Sequence, residues 1–325
     1  HVGDRHAFLT NAFAATPDLL VTHSEILRLV EYRDGDHKAD ASAVFADGFQ
    51  TPVDGTAAGV LATRDHVWFG NIPRLWRMPR PPATWEPGRP PGKESVAAGF
   101  GVHIGVTGHD LHGLIQGPDG RIYMSFGDRG AVITNREGIV INLPVTGGVL
   151  RCEPDGRYLE VYCHGLRNPQ ELAFDDLGNL WTVDNDTAGP DPCRVLHLVE
   201  GADYGWRASY QHMPGFGPWV EEALWKGGRD GILPPAGMVS QGPSGLAWYP
   251  GTGFGGRFAG KFLHCDFPGG VWAFSVTPQG ASYVVQDREK ILWNCWPTDV
   301  DFGPDGALYV LDWVAGWQKI GRAHV

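Results

Sequence analysis

The sequence predicts an all-β fold, a six-bladed β-propeller of four-stranded antiparallel blades. Two observations carry this prediction. The 325 residues include 46 Gly, 25 Pro and 13 Trp, a composition that favours many short strands and tight turns over long helices. In addition, a unit recurs that consists of a turn, a β-prone run with an aromatic side chain, and a polar residue. The copies are spaced about 55 to 60 residues apart with one longer gap, which suits four-stranded blades, and they lie at 63–71, 117–128, 176–185 and 303–312.

Two further segments extend the repeat. Residues 242–274 form a fifth unit, and residues 26–45 form a partial sixth. The runs 149–152 and 159–163 flank a turn and are expected as outer strands of one blade. Together these segments predict that repeated blades account for most of the chain.

The remaining segments interrupt or follow the blades. Residues 79–92 are rich in proline and predict an exposed loop. Residues 211–235 contain several Gly and Pro breaks and predict a long insertion that shapes one face of the propeller. We expect residues 1–319 to form a single propeller domain, truncated at both ends, and residues 320–325 to be a non-native tail, because they do not continue the preceding pattern.

Charge and cysteine usage exclude several classes of function. The formal net charge of −11 and the lack of a basic stripe argue against nucleic acid and anionic membranes as partners. The sequence has no apolar run of about 18 residues, so no membrane span is predicted. The five cysteines form no CxxC pattern, which argues against covalent haem or a zinc ribbon within this chain, and their odd number leaves at least one free thiol.

One hairpin carries the chemistry. Residues 108–128 contain two apolar runs joined by a Gly-Pro-Asp-Gly turn, with His109 and Asp128 at their outer ends. The two strands are antiparallel, so those ends lie on the same rim. A histidine next to a carboxylate is what a proton-abstracting site requires.

Five ordered segments give the chain a family resemblance. They cover nearly the whole of residues 20–319. They resemble the glucose/sorbosone dehydrogenase-like propeller, the fold of soluble quinoprotein sugar dehydrogenases, and more closely the membrane-bound dehydrogenase domain of Planctomycetes and Verrucomicrobia. The segments are GHDLHGLIQGPDGRIYMSFGD (108–128), HGLRNPQELAFDDLGNLWTVDN (164–185), GADYGWR (201–207), GPSGLAWYPG (242–251) and TDVDFGPDGALYVLDW (298–313).

The resemblance implies roles for individual residues. His109 is expected to be the catalytic base and Asp128 the acid that orients it, with Arg167 and Asn168 reaching the quinone and the substrate oxygen. An arginine that only braces the blade loops is the alternative for Arg167. For pyrroloquinoline quinone the expected contacts are Arg129, Arg167, Asn168, Thr298 and Asp299. For calcium they are Asp184, Asn185, Asp186, Gly189 and Pro190.

The sequence also departs from the family. Two arginines that bind quinone carboxylates in the family are replaced by Trp296–Asp299, and an expected lysine is replaced within Asp266–Gly269. Each charge-assisted hydrogen bond lost in this way is worth about 1.5–3 kcal/mol. The proton-abstracting half of the site therefore resembles the family, and the cofactor-anchoring half does not.

Other residues offer alternative sites. His103 and His112 lie near His109 in the sequence and are alternative bases, although their loop spacing disfavours a three-histidine metal site. Acids alternate in Asp34–Asp40, where a solvated hairpin tip is favoured over calcium. Four tryptophans are expected to pack within blades, namely Trp68, Trp181, Trp248 and Trp272, whereas Trp76, Trp219 and Trp225 lie near loops and could stack on a sugar ring.

The sequence therefore favours an oxidoreductase that acts on a sugar or another alcohol. His109 is its general base, with calcium and a quinone. The resemblance further implies a haem c acceptor domain or protein, and a periplasmic or cell-envelope location. Two alternatives stay open, a non-catalytic propeller that binds a glycan or protein and a metal-dependent hydrolase or lactonase, because fold alone does not decide function.

Overall fold

The computed structural model describes residues 6–11, 26–31, 40–82, 85–102, 108–185, 193–221, 223–267, 269–303 and 306–312. Within these ranges the chain is all-β, and the strands follow one another in antiparallel sheets of up to four strands. His103, Asp186, Gly189, Pro190, Asp34 and the tail 320–325 lie outside the described residues.

Four of the sheets in the described ranges have four strands. The first consists of β4 (Ala57–Ala62), β5 (His66–Asn71), β6 (Arg74–Pro79) and β7 (Glu94–Ala98), and the second of β8 (Ile115–Gln116), β9 (Ile122–Phe126), β12 (Gly147–Cys152) and β13 (Glu160–Leu166). The third consists of β14 (Ala173–Phe174), β15 (Leu180–Asp184), β16 (Cys193–Leu198) and β17 (Gly237–Ser240). The fourth consists of β18 (Pro243–Trp248), β19 (Lys261–Asp266), β20 (Gly270–Gln279) and β21 (Ser282–Leu292).

Smaller sheets complete the described part. They are β1 (His6–Asn11) with β2 (Ile26–Glu31) and β3 (Ala41–Ala46), the hairpin of β10 (Ala131–Thr134) and β11 (Val140–Leu143), and the pair of β22 (Pro297–Phe302) and β23 (Leu308–Asp312). The prediction of an all-β propeller of four-stranded antiparallel blades is confirmed. The number of six blades stays a prediction.

The predicted Gly-Pro-Asp-Gly turn joins the first two strands of its sheet. Gly120 has φ of +85° and its N–H donates to the Gly117 carbonyl at 2.9 Å, a conformation that favours glycine because it has no Cβ. Gly178 and Gly306 also have positive φ in the equivalent turns. The repeated turn therefore marks where each first strand reverses into the second.

The first strands of successive sheets lie side by side. A Cβ on Gly59 of β4 would be 3.1 Å from the His112 carbonyl, one on Gly113 would be 3.1 Å from the Gln170 carbonyl, and one on Gly245 of β18 would be 2.7 Å from the Cα of Asp299. Each approach joins residues that lie within three positions of the start of a first strand, so these starts lie close together. They share one face of the molecule, which we call the site face.

The core lies between neighbouring sheets. Trp68 packs where the β4–β7 sheet meets the β8–β13 sheet, and Trp181 packs where the β14–β17 sheet meets the β18–β21 sheet; both side chains are fully buried. Trp248 is half-buried against the second of these clusters and Trp272 is also half-buried. In the described residues no helix is long and apolar enough to cross a membrane.

The predicted insertion separates β16 from β17. It forms three short 3-10 helices, at Ala208–His212, Pro214–Phe216 and Leu224–Lys226, and one α-helix, α1, at Pro218–Glu221. Leu224 and Trp225 are buried and pack with Trp206 in a separate apolar cluster. The insertion is thus attached to the propeller through this cluster.

Candidate active site

The structure brings His109 and Asp128 together on the site face. Asp128 follows the end of β9, and His109 precedes Leu111, which pairs with Phe126 through an isolated bridge. His109 Nδ1 lies 2.7 Å from Asp128 Oδ1, and both side chains are buried. The close approach needs a glycine at position 127, because a Cβ there would be 2.7 Å from the Cα of His109.

The charge of Asp128 determines which nitrogen of His109 is protonated. Burial alone would raise the pKa of this carboxyl, but the hydrogen bonds from His109 and Trp206 lower it below its ordinary value. An ionised carboxylate can only accept hydrogen bonds. Nδ1 of His109 must therefore donate, and in the neutral ring Nε2 keeps its lone pair and can accept a proton.

Arg167 and Asn168 lie beside this pair, immediately after β13. The N–H of Asp128 donates to the Arg167 carbonyl at 2.7 Å, so the two segments are joined through their main chains. The Arg167 guanidinium lies 5.7 Å from the centre of the Trp206 ring, and its Nη1 donates to the carbonyl and the Oδ1 of Asn185 at 3.0 and 3.1 Å. Arg167 is thus held next to the His109 pair.

Asp184 fixes the Arg167–Asn168 segment through its main-chain N–H groups. Its carboxylate accepts the main-chain N–H of Arg167 at 3.1 Å and that of Asn168 at 2.8 Å. It also accepts Nε and Nη2 of Arg194 at 3.2 and 2.9 Å, and both members of this ion pair are fully buried. The Arg194 guanidinium in turn lies 4.0 Å from the centre of the Trp225 ring.

These contacts leave the carboxylate of Asp184 and the side chain of Asn185 poorly suited to bind calcium. Both oxygens of Asp184 face N–H donors, and Oδ1 of Asn185 faces Arg167, whereas calcium needs six to eight oxygen ligands that point at the ion. Within the described part of the chain, no group of three or more His, Cys, Asp or Glu side chains is placed to hold a metal ion. Asp186, Gly189 and Pro190 lie outside it.

The charges around His109 are balanced. Arg129 forms an ion pair with Asp110, whose carboxylate is buried, and the main-chain N–H of Asp110 donates to His112 Nε2 at 3.1 Å. Burial lowers the pKa of His112 to about 4, so this second histidine is neutral at physiological pH and is occupied as an acceptor. Three carboxylates face three guanidiniums here: Asp110, Asp128 and Asp184 against Arg129, Arg167 and Arg194.

The wall around Thr298 and Asp299 is acidic. Thr298 and Asp299 belong to β22, and Asp299 lies against Gly245 of the neighbouring first strand. Burial and the nearby Asp301 raise the pKa of Asp299 to about 6, and burial together with Asp299 raises that of Glu171 well above its usual range. A ligand with several carboxylates would be repelled here when these acids are ionised.

The residues around His109 therefore do not fit the carboxylates of pyrroloquinoline quinone. Arg129 and Arg194 already pair with carboxylates, and Arg167 is bound to the Asn185 oxygens. The predicted contacts at Thr298 and Asp299 add an acid rather than a cation. No balancing charge is left for a multiply anionic cofactor among these groups.

The tryptophans proposed for sugar stacking have different surroundings. Trp225 is buried between Arg194 and Trp206, which leaves neither of its faces for a sugar ring. Trp76 packs edge-on against Phe49 within an apolar cluster. The side chain of Trp219 lies outside the described residues.

Three important residues were missed by the sequence reasoning. Trp206 donates through Nε1 to Asp128 Oδ2 at 2.8 Å, Arg194 pairs with Asp184, and Asp110 pairs with Arg129. Trp206 lies in the GADYGWR segment that contributes to the family resemblance. The aromatic residues of this segment, next to the predicted insertion, were the available signal, but nothing in the sequence connects them to Asp128.

The sheets and the converging first strands define a β-propeller with a histidine–carboxylate pair on one face. The chain belongs to the family described as Domain of unknown function (DUF7133), which it matches over residues 14–317. No curated protein sequence matches it.

Solved structures with the same fold include sugar dehydrogenases. The pyrroloquinoline quinone-bound aldose sugar dehydrogenase of Streptomyces coelicolor is 19% identical, with a TM-score of 0.61 over 98% of this chain and 96% of that chain. The apo-form soluble aldose sugar dehydrogenase of Escherichia coli is 16% identical, with a TM-score of 0.61 over 93% and 92%. An oxidoreductase (glucose dehydrogenase) of Thermus thermophilus is 21% identical, with a TM-score of 0.56 over 89% and 86%. These likenesses show the shared fold.

Proposed function

We propose that this propeller is an oxidoreductase that acts on a hydroxyl group of a sugar or another alcohol, with His109 as the general base. The observation that carries the proposal is the 2.7 Å contact between His109 Nδ1 and the ionised Asp128. That contact leaves Nε2 as the basic nitrogen. The same fold in sugar dehydrogenases supports the choice of an alcohol as the substrate.

His109 and Asp128 have different roles in the proton transfer. Nε2 of His109 accepts the hydroxyl proton while the carbon passes a hydride to an external two-electron acceptor of the quinone class, which leaves a carbonyl product. Asp128 stabilises the imidazolium that forms. Arg167, held beside the pair by Trp206 and Asn185, is placed to donate a hydrogen bond to a substrate oxygen. Burial of His109 and Asp128 limits competition from water for these contacts.

The proton transfer at His109 does not depend on the cofactors that the resemblance implies. The described residues fit neither calcium at Asp184 nor the carboxylates of pyrroloquinoline quinone, so no step is routed through them. A haem c partner that receives the electrons and a periplasmic or cell-envelope location are part of the proposal that rests on resemblance alone. The acceptor is supplied in the assay below, either as the dye or as added pyrroloquinoline quinone.

The test is a dye-linked assay on purified protein with a panel of aldoses, alditols and simple alcohols. It is run with and without added pyrroloquinoline quinone and calcium. The variant His109→Gln keeps a polar side chain beside Asp128, and we expect its turnover to fall by about 10²- to 10⁴-fold because the general base is gone. The unfolding midpoint should be unchanged.

The matched control is His197→Gln, which makes the same substitution in a histidine that packs between Trp181 and Tyr283 in a blade. Its turnover should stay at the level of the unaltered protein. Full activity in the His109 variant would rule out the assigned base, and no oxidation of any substrate by the unaltered protein would rule out the oxidoreductase.

A second candidate is a non-catalytic propeller that binds a glycan. The balanced charges around His109 and the acidic wall at Asp299 favour it, because a neutral sugar needs no cations. Calorimetric titration with neutral oligosaccharides and with pyrroloquinoline quinone separates the two functions. Glycan binding without quinone binding and without turnover would select this candidate.

A further inference from the structure

We propose that Trp206 is a positioning residue that fixes the Asp128 carboxylate and thereby keeps His109 in the tautomer with its proton on Nδ1. The importance of this tautomer for catalysis rests on the proposed function. The tautomer itself is a property of the folded protein and can be measured without turnover.

The Asp128 carboxylate is bound from two sides. Oδ1 faces His109 Nδ1 at 2.7 Å, and Oδ2 accepts the indole N–H of Trp206 at 2.8 Å. A carboxylate held at one oxygen can rotate about its terminal bond, where the torsional preference is broad. A second donor at the other oxygen removes that freedom and points Oδ1 at His109.

Trp206 is itself rigidly held. Its main-chain N–H donates to the Gly165 carbonyl at 2.9 Å, and its carbonyl accepts the Thr146 hydroxyl at 2.8 Å. The side chain is fully buried, with the Arg167 guanidinium 5.7 Å from the ring centre and the Trp225 ring 6.1 Å away. An indole fixed by the main chain and by packing makes a precise donor, because little rotamer freedom is lost on bonding.

The insertion contributes to this arrangement. Trp225 belongs to its last 3-10 helix, Leu224–Lys226, and packs edge-on against Trp206 with an angle of 74° between the rings. Trp206 itself lies in the long segment between β16 and β17, and the rings of Tyr210 and Trp225 from the same segment pack against it. This segment therefore reaches the His109 pair directly through the indole N–H.

The experiment measures the ring nitrogens of His109 by NMR on histidine labelled with ¹⁵N. The His109 signals are assigned by their loss in His109→Gln. In the unaltered protein we expect a single Nδ1–H tautomer with a strongly downfield proton. In Trp206→Phe, which keeps an aromatic ring and removes the donor, we expect both tautomers and loss of the downfield proton.

Trp225→Phe is the matched control. It changes the same aromatic cluster but leaves the Trp206 donor in place, so the Nδ1–H tautomer should persist. An unchanged tautomer in Trp206→Phe would overturn the proposal, and equal disturbance in both variants would reduce Trp206 to a packing role.

A measurement on the unaltered protein decides the matter if Trp206→Phe does not fold. The indole N–H signal of Trp206, assigned through its contacts with the Trp225 ring, should lie downfield and exchange slowly with solvent, as expected of a donor to a buried carboxylate. An indole signal at its ordinary position that exchanges freely would overturn the proposal.

A measurement of turnover is the part of the test that depends on the proposed function. If the protein oxidises an alcohol, Trp206→Phe should lower kcat about tenfold with little change in KM, since loss of one such hydrogen bond is worth about one power of ten in rate. A mixed tautomer in a protein that has no oxidoreductase activity would sustain the positioning role and refute only the proposed function.

Discussion

Two groups of carboxylates have opposite surroundings, one at the ends of second strands and the other on or just before first strands. The paired acids, Asp128 and Asp184, accept hydrogen bonds from nitrogen donors on several residues. The crowded acids, Glu171, Asp299 and Asp301, each accept the main-chain N–H of the next residue. Burial raises the pKa of all three, Asp301 adds to the rise at Asp299, and both aspartates add to the rise at Glu171. Asp128 is thus held charged, whereas the crowded acids are pushed toward their neutral form.

The difference shows what each region can do. Donors around the paired acids keep a negative charge next to His109, which stabilises an imidazolium. Burial disfavours the ionised form of the crowded acids, so a cation or a neutral ligand fits beside them better than an anion does. Substitutions in each region therefore test this contrast.

Among changes near the paired acids, Arg194→Met should cause the largest loss in the free energy of unfolding. The substitution removes a fully buried guanidinium and leaves Asp184 charged in the core with only its main-chain donors. Breaking a buried ion pair in this way costs about 3–5 kcal/mol. Urea denaturation measures the loss in the free energy of unfolding.

The control for that change is Arg207→Met, at a partly exposed ion pair with Asp203. It should lower the free energy of unfolding by no more than about 1 kcal/mol. Equal losses in the free energy of unfolding would mean that the buried ion pair contributes no more to stability than the partly exposed one.

A second change tests the close approach that joins the pair. Gly127→Ala places a Cβ 2.7 Å from the Cα of His109 and 2.8 Å from Asn168 Oδ1, so the loop must move. We expect a loss of about 1–3 kcal/mol from overpacking, together with loss of the downfield Nδ1 proton of His109.

Gly92→Ala provides the comparison, since a Cβ there meets no atom within 4 Å and no positive φ is required. Its stability should stay within about 0.5 kcal/mol of the unaltered protein. If the Gly127 variant keeps the His109 proton signal, the close approach does not determine the geometry of the pair.

The crowded region should respond in the opposite direction. The pKa of Asp299 is raised from 3.8 to about 6, so the folded state binds more protons than the unfolded state between these values. Stability from this group is then present at low pH and is lost as pH rises toward 6. Asp299→Asn cannot ionise and should be more stable than the unaltered protein at pH 7 by about 1–2 kcal/mol.

Urea denaturation at pH 4 and pH 7 measures this effect. The gain should be confined to pH 7, and the exposed Asp47→Asn should show no gain at either pH. Destabilisation of the Asp299 variant at pH 7 would show that its charge is compensated, which would remove the contrast between the two regions.

The sequence predicted the local parts of this arrangement. The Gly-Pro-Asp-Gly turn places His109 and Asp128 at the two ends of one hairpin, so their approach follows from strand pairing alone. Trp206 is 78 residues from Asp128 in sequence, and no periodicity relates them. Their contact depends on how one sheet packs against the next.

Asp184 illustrates a second limit. The family resemblance implied that Asp184 is a calcium ligand, and the sequence shows which oxygens are present but not which donors face them. The main-chain N–H groups of Arg167 and Asn168 exist in every sequence, and only the fold directs them at Asp184. Polar satisfaction of this kind is therefore read from the structure.

The hydrogen bond from Trp206 to Asp128 also gives the protein an internal optical reporter. The emission of an indole depends on the charge beside it and is quenched by a nearby imidazolium. Because the buried Trp206 donates to the carboxylate that also faces His109, its emission depends on the position and charge of that carboxylate. The difference in emission between the unaltered chain and Trp206→Phe therefore isolates the signal of the pair, with no label attached.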